Sequence, residues 1–317
     1  MATGPATLFF LLGAVGEQEL TPTQRLPSSK WVRLVTDVTD VKSSLLVVQV
    51  GANDHSDDGG HDPAQVAVQL GWSALLFEPM MHAYAALERR YSSTSREVTL
   101  RNAAVCPPQQ QFPFGHPPPS MPGAHKTMWY VELSNATGSW GTYDADVRCV
   151  VYMPHQRDGQ RSGVTRKTPW VTQLASFSRA GLLQAGPAFG YTPKACKHCG
   201  RLQGRALGTK CLRHVLERNV MSRKVDCARF DIDLARRQRP TMLVVDVEGF
   251  DAEVLAAFPF GSGAKPAQVV YEISHMSTPD FKRLTRELTH LGYACIAGCR
   301  NQPREMNAEW HLLGASV

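Results

Sequence analysis

The chain has 317 residues, 43% of them hydrophobic and 20% charged, which is enough to bury a full core and excludes global disorder. Its net charge of +6 is too small to dictate a polyanionic partner by itself. The apolar run ATLFFLLGAVG (6–16) is too short to span a bilayer, and no other stretch is a candidate for a membrane helix.

Taken in order, that first run ends in small residues and resembles the core of a signal peptide, though no basic residue precedes it. Residues 1–30 are therefore read as an N-terminal apolar segment and 31–317 as the folded domain. The glycosylation sequon Asn135-Ala136-Thr137 and the eight cysteines suit a luminal compartment, so the secretory pathway is favoured over the cytoplasm. A first α/β region follows: a strand LLVVQV (45–50), a helix through PAQVAVQLGW (63–72), a strand ALLFEP (74–79), a helix MHAYAALERRY (81–91) and a strand VTLRNAAV (98–105). Asp62 before Pro63 predicts a helix start, with Asp as the capping residue and Pro at the first helical position.

Residues 106–224 read as an insertion rich in Pro, Gly, aromatic and basic residues. FPFGHPPPSMPG (112–123) predicts a loop, while MWYVEL (128–133) and DVRCVVYM (146–153) predict strands. Between Lys194 and Arg239 thirteen Lys/Arg stand against four Asp/Glu, so a basic segment sits on a slightly acidic body. Such a segment suits a phosphate, a sulfated or uronic-acid glycan or an anionic membrane; a solvated helical face is the plainer reading. The second α/β region runs through TMLVVDVEG (241–249), DAEVLAAF (251–258), AQVVYEIS (267–274), DFKRLTRELTHLG (280–292), YACIAG (293–298) and EWHLLGA (309–315). Unbroken apolar strands alternating with amphipathic helices predict an α/β fold with a mainly parallel sheet covered on both faces.

The end of the first strand is the most informative stretch. Gly51 permits a tight turn and close approach of a ligand, and Asn53 and Asp54 offer acceptors. Glu78 closes the second strand, where an acid can accept from both hydroxyls of a ribose. A nicotinamide dinucleotide wants G-x-G-x-x-G to cradle its pyrophosphate. Here that spacing is missing, and Asp54, Asp57 and Asp58 repel phosphate. S-adenosylmethionine, with a cationic sulfonium and amino group and no phosphate, matches these acceptors better.

The order QVGAND…DP, GWSALLFEP, RNAAV, MLVVDVEGFDAEVL and VVYEISH resembles the FkbM-type S-adenosylmethionine-dependent methyltransferases over about residues 44–105 and 220–300. The resemblance implies a Rossmann-like class I methyltransferase with a seven-stranded sheet, the insertion lying between strands 3 and 4. It also implies O-methylation of a hydroxyl on a sugar, glycan or small natural product. It adds Gln49 and Asn102 to Gly51, Asn53, Asp54 and Glu78 as cofactor-binding candidates. Two departures stand out: Gln49 occupies a position where many members have Asp, and His55 stands where a Gly often follows the Asn-Asp pair.

Methyl transfer to a hydroxyl needs alignment and removal of a proton. Asp246 and Glu248 lie two apart at a strand end, and Glu272 and His275 emerge at the same edge of the next strand. Asp246, Glu248 and His275 are the catalytic candidates, and the same carboxylates with a His also suit a divalent cation. Cys196-x2-Cys199 and Cys211-x2-His214 have the spacing of a structural zinc site, with disulfides as the alternative. Cys295 and Cys299 are a further candidate pair. Trp129, Trp140 and Trp170 suit stacking on a sugar ring or a local core. The acceptor is expected to be a small molecule or glycan, with an anionic one suiting the basic segment, and no specific nucleic acid is indicated. Two rival readings are a nicotinamide-dependent oxidoreductase and a non-catalytic protein binding polyanions through the basic Cys/His segment.

Overall fold

The computed structural model describes residues 45–55, 62–94, 96–106, 125–131, 175–177, 179–180, 182–183, 216–217, 219–228, 230–234, 239–247, 249–262, 264–273, 276–298 and 307–313. The N-terminal apolar segment, the sequon, the strand expected at 146–153, Trp140 and Trp170 lie outside them.

Seven strands form the main sheet: β1 (Leu46–Val50), β2 (Ser73–Phe77), β3 (Val98–Arg101), then, after the insertion, β8 (Met242–Val245), β9 (Gln268–Glu272), β10 (Tyr293–Ala297) and β11 (Asn307–Leu312). Their spatial order is β10-β11-β9-β8-β1-β2-β3. The pairs β1–β2, β2–β3, β1–β8 and β8–β9 are parallel, whereas β11 runs antiparallel between β9 and β10. The sheet is thus mixed at one edge rather than parallel throughout. Residues of β1 are buried without exception, as expected of a central strand covered on both faces.

Alternation along the strands sorts the two cores. Val48, Val50, Leu75, Phe77, Leu243, Val245, Val269 and Tyr271 point to one face. They meet helix α3 (Phe230–Leu234), α4 (Asp251–Ala257) and α5 (Thr278–His290). Val47, Ala74, Leu76, Met242, Val244 and Val270 point the other way, against α1 (Pro63–Gln69) and Leu87 of α2 (Met81–Tyr91). In α5, Phe281, Leu284 and Leu288 follow a helical period and are all buried. Burial of each stabilises by about 1.5–3 kcal/mol. The helix starts where the Ser277 hydroxyl accepts from the Asp280 amide at 3.2 Å.

A second sheet is built from strands within and flanking residues 106–224, ordered β4 (Ala104–Val105), β7 (Val220–Ala228), β5 (His125–Val131), β6 (Ala175–Ser176). The stretch 98–105, expected as one strand, therefore divides at Asn102-Ala103 between two sheets. Met128 and Val225 pack with Met80, Ala83 and Ala104, which seats the small sheet over the end of β2. Phe177 meets Phe250 edge to face at 5.4 Å between ring centroids, which ties it to the start of α4. A disulfide joins Cys106 to Cys227, with Cα atoms 5.3 Å apart, directly beside the parallel β4–β7 pairing. Cys295 is also disulfide-bonded, to a partner outside the described residues, and no described cysteine is a free thiol.

Candidate active site

The carboxyl ends of β1, β2 and β8 converge, and the chemistry-bearing residues gather there. Gly51 turns with φ +80°, and a Cβ at that position would lie 1.8 Å from the Asp246 carbonyl oxygen. Only glycine lets the β1 end approach β8 this closely. The Gly51 and Ala52 amides both donate to the Phe77 carbonyl at 3.1 Å, which draws the loop onto the end of β2.

Glu78 follows and is 5% exposed. One carboxyl oxygen accepts from the Asn53 amide at 2.7 Å and the other from the Met80 amide at 2.7 Å. Each oxygen keeps a second lone pair for another donor. Burial pushes the Glu78 carboxyl up to about 7; the two backbone donors oppose that shift and Asp54 adds to it. Asn102 donates from Nδ2 to the Glu78 carbonyl at 2.9 Å, which fixes it beside the end of β2. Asn53 is left-handed, with φ +52°, and its Oδ1 accepts from the Asp54 amide at 2.8 Å. Gln49, by contrast, is 1% exposed, and its amide is engaged beneath the loop by Asp62 and His55.

Asp246 follows β8, and its amide donates to the Val50 carbonyl at 3.0 Å. Burial pushes its carboxyl well above the usual range, and the like charges of Glu272 and Asp62 push the same way. Asp246 meets solvent at the crevice mouth, and that water tempers the first cause more than the second, so the upward direction stands. Asp251, buried in the first turn of α4, accepts from the Gly249 amide at 3.3 Å and is likewise raised, by burial and then by Asp246.

Glu248 and His275 lie outside the described residues, so the strand-end pairing of Asp246 with Glu248 has no geometry to report. Cys196, Cys199, Cys211 and His214 also lie outside them. Among the described residues no group of three His, Cys, Asp or Glu side chains is arranged to hold a metal ion. No helix among the described residues is long and apolar enough to cross a membrane. Glu272, expected at the same edge, is buried at the end of β9 and acts on Asp246. The roles of Asp251 and Asp62 beside Asp246 left no mark in the sequence.

Residues 49–295 match the family model described as the methyltransferase FkbM domain. The chain belongs to this family. The FkbM domain carries a Rossmann-like methyltransferase fold, and the matched span begins at the last turn-ward residues of β1 and reaches into β10. This protein is therefore a methyltransferase, and the oxidoreductase and purely polyanion-binding readings give way. No curated protein and no solved structure shows a significant match to it.

Proposed function

We propose that this FkbM methyltransferase transfers a methyl group from S-adenosylmethionine to a hydroxyl oxygen of a sugar, glycan or small natural product. The observation that carries the reading is Glu78, a buried acid at the end of β2 held by the Asn53 amide across the loop leaving β1. The donor set fits the group: Glu78 has lone pairs for ribose hydroxyls, and Asp54 and Asp246 add acidic groups near a cationic sulfonium and amino group. Asn102 is assigned to the adenine side, Gly51 to close approach, and Gln49 to support of the loop from below.

When bound, S-adenosylmethionine supplies an electrophilic methyl group. Asp246 orients the acceptor hydroxyl and takes its proton, with Glu248 and His275 as the other candidates at the same edge. The basic segment between Lys194 and Arg239 suits an acceptor that carries negative charge. The Cys106–Cys227 disulfide supports action in an oxidising compartment.

Calorimetry with S-adenosylhomocysteine and with NAD tests the cofactor assignment. Binding of the first and not the second is expected, with at least about a tenfold loss in Glu78→Ala. Glu248→Ala is expected to keep the affinity and lower turnover. Binding of NAD alone overturns the reading. Mass spectrometry of glycans and metabolites from cells lacking the protein identifies the acceptor as a species lighter by one methyl group.

A further inference from the structure

His55 sits in the loop that carries Asn53, yet it is 4% exposed and its ring is engaged by Gln49 and Tyr91. Its backbone is left-handed, with φ +49°, a conformation that a residue with a side chain adopts only when something holds it there. Four contacts hold the ring, one of them Nε2 at 3.5 Å from Asp62 Oδ1. Nδ1 lies 2.7 Å from the Tyr91 hydroxyl, Nε2 lies 3.1 Å from Gln49 Oε1, and the His55 and Tyr91 rings meet edge to face at 5.9 Å. Gln49 Nε2 in turn donates to Asp62 Oδ2 at 2.7 Å, while Asp62 Oδ1 caps α1 by accepting from the Gln65 amide at 2.9 Å.

The chemistry of the partners selects one arrangement of hydrogens. A carboxylate only accepts, so Gln49 must turn its N–H to Asp62 and its carbonyl to His55. His55 must then donate through Nε2–H, leaving Nδ1 bare to accept the Tyr91 hydroxyl. Burial favours the neutral ring and Arg90 does too, while Asp62 and Asp54 oppose them. Tyr91 is the last residue of α2, Asp62 precedes α1 and Gln49 lies in β1, so one imidazole ties three elements beneath the loop.

We propose that His55 is a positioning residue for cofactor binding, a latch that fixes the left-handed turn 53–55 so that the Asn53 amide meets Glu78 before any ligand arrives. The inference rests on the methyltransferase reading of the Glu78 site. It predicts a cost in ligand affinity when the ring is lost even though the ring is buried against Gln49 and Tyr91.

The test uses the full chain and three variants: His55→Gly, which adopts positive φ freely but lacks the ring, Tyr91→Phe, which keeps the ring but removes its hydroxyl partner, and the double variant. Without ligand, the Asn53 amide should exchange with solvent faster in each variant, while β1 and α1 stay protected. S-adenosylhomocysteine affinity should fall by about tenfold in His55→Gly, with the double variant no worse, because the parts act as one unit. Nitrogen NMR of wild type should show a neutral His55 with its proton on Nε2. Wild-type Asn53 exchange in His55→Gly overturns the latch, and so does undiminished affinity in that variant. If His55→Gly fails to fold, unchanged Asn53 exchange in Tyr91→Phe overturns it instead. Failure of wild type to bind S-adenosylhomocysteine while the exchange and NMR results hold would instead count against the cofactor assignment.

Discussion

Glu78 carries a burial penalty that its two backbone donors only partly offset, and this makes the site sensitive to pH. Its folded value of about 7 lies above the ordinary 4.5, so between those values the folded chain holds a proton that the unfolded chain has released. Its contribution to stability is present in full below 4.5 and lost as the pH rises through 7, by about 3 kcal/mol. Urea denaturation from pH 4.5 to 8 should show that fall in wild type, with that much less of it in Glu78→Gln. Ribose hydroxyls donating to the carboxylate favour its ionised form, so S-adenosylhomocysteine affinity should rise as the pH passes 7, with release of a proton seen in calorimetry buffers of different ionisation heats. Gly51 makes a second residue-scale prediction. In Gly51→Ala a methyl meets the Asp246 carbonyl in a backbone conformation that alanine resists, and stability should fall by about 3 kcal/mol or more. Retention of wild-type stability would mean that the β1 and β8 ends are farther apart than described.

At the scale of elements, Asp62 serves two structures with its two oxygens, the start of α1 and the Gln49 amide. Asp62→Ala should therefore cost more than a simple helix cap, about 2–3 kcal/mol by denaturant titration. The Asp62-Pro63 pair announced this helix in the sequence. The small sheet was harder to read. β7 has one buried position, Val225, among exposed and half-buried ones in a basic stretch, so it lacks the apolar run that marks β1 or β8. The division of 98–105 at Asn102 follows from a hydrogen bond to Glu78 and a disulfide to Cys227, both set by distant residues. That disulfide closes a loop across 121 positions, and a Cys106→Ser, Cys227→Ser double variant should lose about 3–5 kcal/mol. Limited proteolysis should cut such a variant first in the insertion, while β1, β2, β8 and β9 resist.

For the whole molecule, the decisive expectation is linkage between cofactor and stability. S-adenosylhomocysteine at a hundred times its Kd should stabilise the folded chain by about 2.7 kcal/mol, read as a rise in Tm, and NAD should produce none. A shift with NAD and none with S-adenosylhomocysteine would reverse the assignment of the crevice. The two-faced sheet was legible because its central strands are continuous apolar runs of the right length, interleaved with helical periods. The antiparallel β11 was not, since an apolar strand carries no mark of its direction; that is set by which neighbours it reaches.

The sequence by itself determined the alternation of strands and helices, the glycine turn after β1, the acid at the end of β2 and the capped start of α1, because each depends on residues close together in the chain. Tertiary structure alone decided that Glu78 takes the Asn53 amide, that Asp246 lies within the field of Glu272, that Cys106 pairs with Cys227 and that the His55 ring is locked against Tyr91. Those contacts join residues from 25 to 121 positions apart, and periodicity says nothing about which distant side chain folding will place alongside.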